Sequence, residues 1–348
     1  MFSGLSLPIL LLIFVAGAIV VWVAGIQLSN TTDTMSSRFH LGEALGGLIF
    51  LAIATNLPEI AITVSAALSH NLGIAIGNIL GGIAIQTIVL AILDGFGLRG
   101  KDPLTYRVAS LSLVLEGVLV VAVLVIAIMG TQLPSSVIFV HVTPGSLLIL
   151  VFWLAGLWLI SKARKGLPWQ DSGHAPDAAS PGKDSDKKQK SIASTILIFS
   201  IASLATLIAG AALEESGNAI AGHIGLSGVL FGATILAAAT ALPELATGFG
   251  SVKIGDFELA VSDIFGGNAF LPVLFIFADV LSGQSVLAQA EKSDIYLACL
   301  GILLTTVYIY GLIFRPRRQF LYMGIDSFVV IMLYVLGIVG LIAVVHGK

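Results

Sequence analysis

The chain has 348 residues, of which 57% are hydrophobic and 11% are charged, and its mean hydropathy is +1.02. Soluble domains carry about 25% charged residues, so this composition excludes a water-soluble globular protein and indicates an integral membrane protein. A net charge of −3 is too small to indicate a nucleic acid or another strongly charged partner, and the one cysteine, Cys299, excludes an internal disulfide.

Ten apolar runs are long enough to cross a bilayer, which requires about 20 mostly apolar residues. They lie at 5–28, 43–69, 72–93, 106–129, 145–161, 191–213, 224–250, 258–281, 294–314 and 320–346. The sequence therefore predicts an all-α integral membrane protein with ten transmembrane helices.

The basic residues predict the orientation, because Lys and Arg accumulate in cytoplasmic loops. With an external N-terminus, 15 of the 17 basic residues fall in inside loops, and only Lys292 and Lys348 lie outside. We therefore expect a multi-pass protein of the cell (inner) membrane with both termini outside.

The stretch 162–190 is rich in Pro, Gly, Ser and charge, which is typical of a flexible linker. It divides the predicted spans into two sets of five, at 1–161 and 191–348. The orientation places this linker in the cytoplasm.

Two motifs occur twice at the same offset. Residues 54–59 read ATNLPE and 239–244 read ATALPE, while 75–82 read AIGNILGG and 260–267 read AVSDIFGG. Both pairs are separated by 185 residues, as are Asp94 and Asp279, which we expect to cap helix ends or snorkel. Because each copy has an odd number of spans, the second copy must enter the membrane from the opposite side. The sequence thus predicts two inverted five-helix repeats, an arrangement of secondary transporters whose sites lie near the midplane.

Pro58 and Pro243 interrupt the second and seventh predicted spans. A proline inside a helix removes a hydrogen bond and clashes with the carbonyl four residues back, so both spans are predicted to be broken there. An unsatisfied carbonyl in lipid costs several kcal/mol unless a cation, water or hydroxyl pairs with it. Thr55 and Thr240 lie three residues before the prolines and are therefore candidate ligands.

Glu59 and Glu244 directly follow the prolines, deep within apolar sequence. A charge at the centre of a spanning helix costs roughly 2.5–3.5 kcal/mol on insertion scales. Apart from Arg107 at the edge of the fourth, none of the ten predicted spans contains a Lys or Arg to offset it. Two glutamates from opposite halves would supply the hard oxygen ligands that suit Ca²⁺. The alternative is a protonated glutamate hydrogen-bonded to a neighbour.

Asn78 and Asp263 occupy matching positions in the third and eighth spans, so one half carries an amide where the other carries a carboxylate. Asp263 is a candidate for Na⁺ or proton coupling. Asn78 is a candidate for the same ion site, and the alternative for it is a structural hydrogen bond between helices. Gln86 and Asn268 are weaker candidates with the same alternative. The small residues after Asn78 and Asp263 favour close helix packing. For Asp326 we expect an interfacial ion pair with Arg317 or Arg318.

The pattern TxLPE, followed about 19 residues later by Asn or Asp and then xxGG, is present in two copies and resembles the alpha-repeats of the cation/Ca²⁺ exchanger superfamily, nearest the sodium/calcium exchangers. The resemblance covers almost the whole chain. It implies that Glu59, Glu244, Thr55 and Thr240 form a central Ca²⁺ site, bordered by Asn78 and Asp263.

The chain also departs from that family's pattern. The serine of the motif G-T-S-L-P-E is Asn56 in one copy and Ala241 in the other, and the serine of G-S-N is Gly82 and Gly267. Those serines help to bind Na⁺ in the family. The resemblance therefore leaves the driving ion open.

These features predict an antiporter that exchanges Ca²⁺, or a similar divalent cation, for Na⁺ by alternating access. An H⁺-coupled antiporter is the nearest alternative, and a cation channel is a more distant one. We expect no enzyme activity, since the spans hold no His-Glu-x-x-His pair and no Ser/His constellation. The expected partners are the lipid bilayer and the transported inorganic cations Ca²⁺, Na⁺ or H⁺, with no cofactor, nucleic acid or identifiable protein partner.

Overall fold

The computed structural model describes residues 2, 4–39, 52–98, 102–108, 110–133, 141–166 and 191–347, and within these ranges it is almost wholly helical. The helices are α1 Leu7–Phe39, α2 Leu57–Leu68, α3 Leu72–Ile92, α4 Leu104–Arg107, α5 Leu111–Gly130, α6 Pro144–Lys165, α7 Ile192–Ile224, α8 Gly228–Phe231, α9 Ala237–Thr240, α10 Leu242–Ile254, α11 Phe257–Phe270, α12 Leu274–Ser282, α13 Lys292–Phe314 and α14 Ile325–His346. A π-helical turn, Leu93–Gly97, extends α3, a second one, Gly232–Leu236, joins α8 to α9, and a 3₁₀ turn, Leu271–Val273, joins α11 to α12. Two short antiparallel strands, β1 Gln319–Phe320 and β2 Met323–Gly324, precede α14.

In the described part of the chain, eight helical stretches are long and apolar enough to cross a membrane. They are Leu7–Thr32, Leu72–Gly97, Leu111–Gly130, Pro144–Arg164, Ile192–Ile224, Phe257–Ser282, Lys292–Phe314 and Ile325–His346. A ninth candidate span is the pair Gly228–Thr240 and Leu242–Ile254, which is bent by 40°. The second predicted span, 43–69, contains α2, but its first part, 43–51, lies outside the described residues. The multi-pass helical architecture is therefore confirmed.

Several helices are longer than the apolar runs that predicted them. The first and sixth spans were expected at 5–28 and 191–213, whereas α1 and α7 each contain 33 residues. Polar side chains end the apolar runs without ending these helices, because their hydroxyls bond back to the helix: Thr31 donates to the carbonyl of Gln27 and Ser216 to that of Ala212. Similarly, 162–165 form the last turn of α6 rather than the start of a linker, and 167–190 lie outside the described residues.

Both prolines break their helices, as predicted. Asn56 and Ala241 leave the helical conformation immediately before α2 and α10, with ψ angles of 14° and 2°. Pro58 and Pro243 then occupy the first turn of the new helix, where a missing N–H costs nothing because those donors have no intrahelical partner. Each break thus exposes a helix N-terminus inside the protein.

Helices α1 and α7 pack along each other, and each places a glycine on the broken helix of the opposite half of the chain. A Cβ on Gly25 of α1 would overlap the ring of Pro243, and a Cβ on Gly210 of α7 would lie 2.6 Å from Cβ of Ala61 and 3.0 Å from the carbonyl oxygen of Pro58. The two glycines are themselves separated by 185 residues. The breaks are therefore held against the long helices by matching backbone contacts.

The largest apolar core lies between α3, α5, α11, α12 and α13. Here the small residues of α3 have the packing role that was predicted. A Cβ on Gly77 would lie 2.8 Å from the carbonyl oxygen of Val229, and one on Gly81 would lie 2.7 Å from that of Ala233. Glycine at these positions lets α3 approach the backbone of the α8–α9 segment.

Asp94 and Asp279 anchor neighbouring segments. Asp94 accepts hydrogen bonds from the backbone N–H groups of Leu104 (2.8 Å) and Gly324 (2.7 Å). Asp279 accepts from the N–H of Val286 (2.8 Å) and from the hydroxyls of Thr143 and Ser146 at the start of α6. Both side chains are buried, so they cap other segments rather than snorkel to the surface. Each ties the end of one span to the beginning of another.

The glycine contacts lead to a stability prediction. Gly210→Ala should lower the free energy of unfolding by about 1–3 kcal/mol, because the added methyl group must displace the backbone of α2. Gly222→Ala on the same helix is the matched control, since a Cβ there meets no atom within 4 Å. Thermal unfolding of both variants in detergent measures the difference. Equal melting temperatures would show that α7 does not pack on the break as described.

Candidate ion-binding site

The two helix breaks bring acidic side chains together in the interior. Glu59 lies in the first turn of α2 and Glu244 in the first turn of α10, and both are completely buried. Glu244 interacts electrostatically with Glu59 and with Asp263 of α11, while Thr240 lies within hydrogen-bonding reach of Glu59. Four of the six predicted site residues therefore belong to one buried cluster.

The helix termini explain why carboxylates are tolerated at these two positions. The first N–H groups of a helix have no intrahelical acceptor, and the helix dipole places partial positive charge there. Glu59 and Glu244 each follow a proline by one residue, so each carboxylate lies at such a terminus. In the described part of the chain, no lysine or arginine pairs with Glu59 or Glu244.

Most of the carboxylate oxygens in the cluster lack hydrogen bonds. Neither oxygen of Glu244 has a partner among the described residues, and Oε2 of Glu59 has none either. Oε1 of Glu59 accepts one bond, from Nε2 of Gln86 at 3.4 Å. A buried polar atom without a partner costs about 1–3 kcal/mol, more when it is charged, so these oxygens favour an additional positive species.

Asp263 is oriented by a residue that the sequence did not single out. The hydroxyl of Thr247 lies 2.8 Å from Oδ2 of Asp263 and 3.1 Å from the carbonyl oxygen of Glu244. Thr247 therefore links α10 to α11 at the level of the cluster. Its position, three residues after Glu244, places it one helical turn further on, and that spacing was the available signal.

The two threonines before the breaks are completely buried. The hydroxyl of Thr55 donates to the carbonyl of Ala52 at 3.3 Å, and that of Thr240 donates to the carbonyl of Ala237 at 3.2 Å. A hydroxyl that donates its proton keeps acceptor lone pairs on the same oxygen. Both threonines can therefore offer oxygen to a cation.

Asn78 is buried, and neither its amide nitrogen nor its amide oxygen has a hydrogen-bond partner in the described ranges. The helix–helix hydrogen bond considered for Asn78 is therefore not found there. No described contact joins Asn78 to the carboxylates. The structure places it inside the protein and leaves its amide available.

Gln86 belongs to a second polar layer beside the carboxylates. Its amide nitrogen donates to Oδ1 of Asn56 at 3.3 Å, and Nδ2 of Asn56 in turn donates to the carbonyl of Ala52 at 2.6 Å. Gly267 makes room for this arrangement, since a Cβ there would lie 2.8 Å from Nδ2 of Asn56. Gln86 was a weak candidate from sequence, but it contacts Glu59 directly.

Asn268 makes the interhelical bonds that were considered for it. Its amide nitrogen donates to the hydroxyl of Thr87 at 3.2 Å and to the carbonyl of Ile83 at 3.4 Å. These bonds join α11 to α3 one layer away from the carboxylates. The amide oxygen of Asn268 has no partner among the described residues.

The cluster differs from a resident metal centre. Within the ranges that the structure describes, no three His, Cys, Asp or Glu side chains are close enough to hold a metal ion. A cation held here would need neutral oxygens from threonine, amide or backbone groups in addition to carboxylates, which is the ligand set that hard cations accept.

One expectation for another acidic residue is wrong, and one buried acid has a basic partner that the sequence did not indicate. Arg164, which was assigned to the linker, lies in the last turn of α6 and pairs with buried Glu116 at 2.7 Å. Asp326 is buried and has no ion pair in the described structure, because Arg317 and Arg318 remain exposed. Arg317 instead stacks on the ring of Tyr106 at 4.5 Å and donates to its hydroxyl.

An all-helical membrane fold with buried acidic side chains at facing helix breaks is typical of secondary transporters. The family model described as sodium/calcium exchanger protein matches residues 9–162 and 194–343, and the chain belongs to this family. The expected relationship to the cation/Ca²⁺ exchanger superfamily is thereby confirmed.

Individual relatives are more distant. The chain is 25% identical to the inner membrane protein YrbG of Escherichia coli (strain K12) over 272 residues, which cover 76% of this chain and 77% of that protein. It is 25% identical to the putative antiporter CaxA of Alkalimonas amylolytica over 290 residues, which cover 79% of this chain and 82% of CaxA.

Two solved structures share the fold. The crystal structure of the H⁺/Ca²⁺ exchanger CAX matches with a TM-score of 0.68 at 15% identity. The match covers 96% of this chain and 82% of the CAX chain. The sodium-calcium exchanger NCX_Mj soaked with Na⁺ and Sr²⁺ matches with a TM-score of 0.61 at 14% identity. That match covers 96% of this chain and 99% of the NCX_Mj chain.

The contact between Thr247 and Asp263 yields a prediction for the site. Thr247→Val should weaken cation binding about tenfold, because a hydrogen bond to a charged group contributes about 1.5–3 kcal/mol and orients the carboxylate. Thr234→Val is the matched control, since among the described residues the Thr234 hydroxyl donates to the carbonyl of Leu230 within its own helix and not to a carboxylate. Titration of purified protein with Ca²⁺ measures the affinity. Equal effects of the two substitutions would refute the role given to Thr247.

Proposed function

We propose that this protein is an antiporter that exchanges Ca²⁺, or a similar divalent cation, for Na⁺ by alternating access. The observation that carries the proposal is the pair Glu59 and Glu244. These two buried carboxylates interact with each other, and neither has a basic partner in the described structure. A transported cation is the species that would neutralise them.

The electrostatics account for obligatory exchange. An unpaired ion buried in a low-dielectric interior costs several kcal/mol, and the empty cluster would contain up to three carboxylates, those of Glu59, Glu244 and Asp263. A conformational change that moves this charge past the midplane is therefore slow in the empty protein. Loading with one divalent cation or with several monovalent cations removes that barrier.

We further propose the ligand set Glu59, Glu244, Thr55, Thr240, Asn78 and Asp263. Ca²⁺ takes 6–8 oxygen ligands, which two carboxylates, two hydroxyls and an amide can supply together with backbone carbonyls at the breaks. Asp263 would serve the coupling ion. The transported cations and the lipid bilayer are the proposed partners, and no cofactor is involved.

The proposed architecture is two inverted five-helix repeats, the first ending with α6 at Lys165 and the second at 191–348, joined by a cytoplasmic linker within 166–190. The repeat offset of 185 residues supports it, as does the crosswise packing of Gly25 on Pro243 and Gly210 on Pro58. Ten spans with both termini outside the cell membrane follow from this arrangement. The family membership and the two solved exchangers of the same fold agree with it.

A proton-coupled antiporter is the second candidate. Its specific support is the loss of the family's Na⁺-binding serines, whose positions hold Asn56, Ala241, Gly82 and Gly267. The similar fold of an H⁺/Ca²⁺ exchanger is compatible with it. A channel is less consistent with the cluster, because conduction requires weak sites open to water whereas these carboxylates are completely buried.

Uptake of ⁴⁵Ca²⁺ into proteoliposomes tests the proposal. With Na⁺ inside and none outside, we expect uptake that collapses when the Na⁺ gradient is dissipated and that a K⁺ gradient does not restore. Glu244→Gln should reduce uptake at least 100-fold, because it removes one of the two charges that hold the cation. Asp102→Asn is the charge-matched control, since Asp102 is exposed.

Each outcome of this experiment has a distinct meaning. Uptake driven by a pH gradient alone would replace Na⁺ coupling with the proton-coupled alternative. Steady flux without any counter-ion would indicate a channel. Normal uptake by Glu244→Gln would refute the site.

A further inference from the structure

A second charged group lies beside the cluster, at the ends of α5, α6 and α11. Glu116 of α5 is 6% exposed and forms an ion pair with Arg164 of α6, whose Nη2 lies 2.7 Å from Oε1. The same Nη2 lies 3.4 Å from the hydroxyl of Ser262, the residue that precedes Asp263 on α11. The pair is therefore adjacent to the proposed coupling residue but is not part of the site described above.

The polar residues around this pair continue to the surface. Glu258, in the first turn of α11, is exposed, interacts electrostatically with Glu116, and accepts a hydrogen bond from Ser110 at 2.8 Å. Ser262 lies one helical turn beyond Glu258, about 6 Å along the axis at a rise of about 1.5 Å per residue. Glu258 and Ser262 thus present a carboxylate and a hydroxyl on one face of α11, and the next residue, Asp263, faces Thr247 of α10.

The carboxylate of Glu116 retains capacity for a cation. Its Oε2 atom has no hydrogen-bond partner in the described structure, although the side chain is more than nine-tenths buried. Glu116 and Ser262 also line a small cavity of about 30 Å³, whose other walls are apolar and include Trp153 and Phe265. A space of this size admits a water-sized species.

We propose that Glu116, Ser262 and Glu258 form an entry site for the transported cation and that Arg164 is its gate, a tethered positive charge that a cation displaces on its way to Asp263. The inference rests on the proposed function, because it assumes that cations reach the carboxylate cluster. Paired with Arg164, Glu116 contributes no net charge to the path. Once Arg164 withdraws, Glu116 becomes a ligand beside Ser262, which lies one helical turn from exposed Glu258 on α11.

The gate predicts shifts of opposite sign for its two partners. Arg164→Gln leaves an unpaired negative charge in the path and should lower the half-saturating Ca²⁺ concentration about three- to tenfold. Glu116→Gln leaves an unpaired positive charge and should raise it by a similar factor. The double variant Glu116→Gln/Arg164→Gln should return to within about twofold of the wild type.

The shifts should appear only when Ca²⁺ is supplied on the side of the membrane that carries the linker. Vesicles of defined orientation, scored by protease cleavage between 167 and 190, separate the two sides. Lys162→Gln is the matched control, since it removes the same charge two residues earlier on α6, where Lys162 is exposed and stacks on Trp158 at 3.9 Å. Glu258→Gln is a further variant, which leaves no buried charge unpaired. It should raise the half-saturating Ca²⁺ concentration when Ca²⁺ is supplied on the linker side.

Shifts in the same direction for Arg164→Gln and Glu116→Gln would overturn the inference and make the pair a structural ion pair. Equal shifts on both sides of the membrane, or no shift, would overturn it as well. Counting bound Mn²⁺ by electron paramagnetic resonance provides a readout independent of transport: Arg164→Gln should bind one more weakly held ion than the wild type, and the double variant should not. If the wild-type protein showed no exchange, the proposed function would be refuted, and the number of bound Mn²⁺ ions would still test the entry site.

Discussion

The structure depends on keeping carboxylates in an apolar interior without fixed positive neighbours. Glu59 and Glu244 are tolerated there because each lies at the N-terminus of a half-helix created by a proline, where free N–H groups and the helix dipole favour negative charge. The breaks in turn require close backbone support, which Gly25 and Gly210 of the two long helices permit. Charge, break and glycine contact therefore form one dependent set. Loss of the break would remove the helix terminus that stabilises the charge, and loss of the glycine would remove the space in which the break packs.

Elements with a strong local signal were predictable from the sequence. The proline breaks, the buried glutamates and the packing glycines each follow from a residue type whose physical constraint does not depend on distant neighbours. Helix ends were less predictable, because hydropathy marks where a side chain leaves lipid and not where backbone hydrogen bonding stops. The polar ends of α1 and α7 show this, as does the continuation of α6 to Lys165.

Contacts between distant parts of the chain were not predictable. Arg164 lies in a polar stretch that reads as linker, and only the fold carries its guanidinium to Glu116, 48 residues away. Asp326 lies close to two arginines in sequence, yet its side chain is buried while both arginines are exposed. The spacing of Thr247 from Glu244 places it one turn further along α10, but its contact with Asp263 depends on how α11 packs beside it. In each case a side chain's partner depends on the packing of helices, which periodicity and charge counting do not reveal.

The two halves supply different chemistry to the shared cluster. In the first half, Gln86 donates to Glu59 and is itself held by Asn56, so one oxygen of that carboxylate is fixed by a neutral amide. In the second half, both oxygens of Glu244 lack partners in the described structure, while the hydroxyl of Thr247 orients Asp263. Glu59 is thus the more constrained of the two carboxylates and Glu244 the less constrained. In the proposed site, one fixed and one adjustable carboxylate would suit a divalent cation as well as separate monovalent ions, since Glu244 has no hydrogen bond among the described residues to break when it changes rotamer.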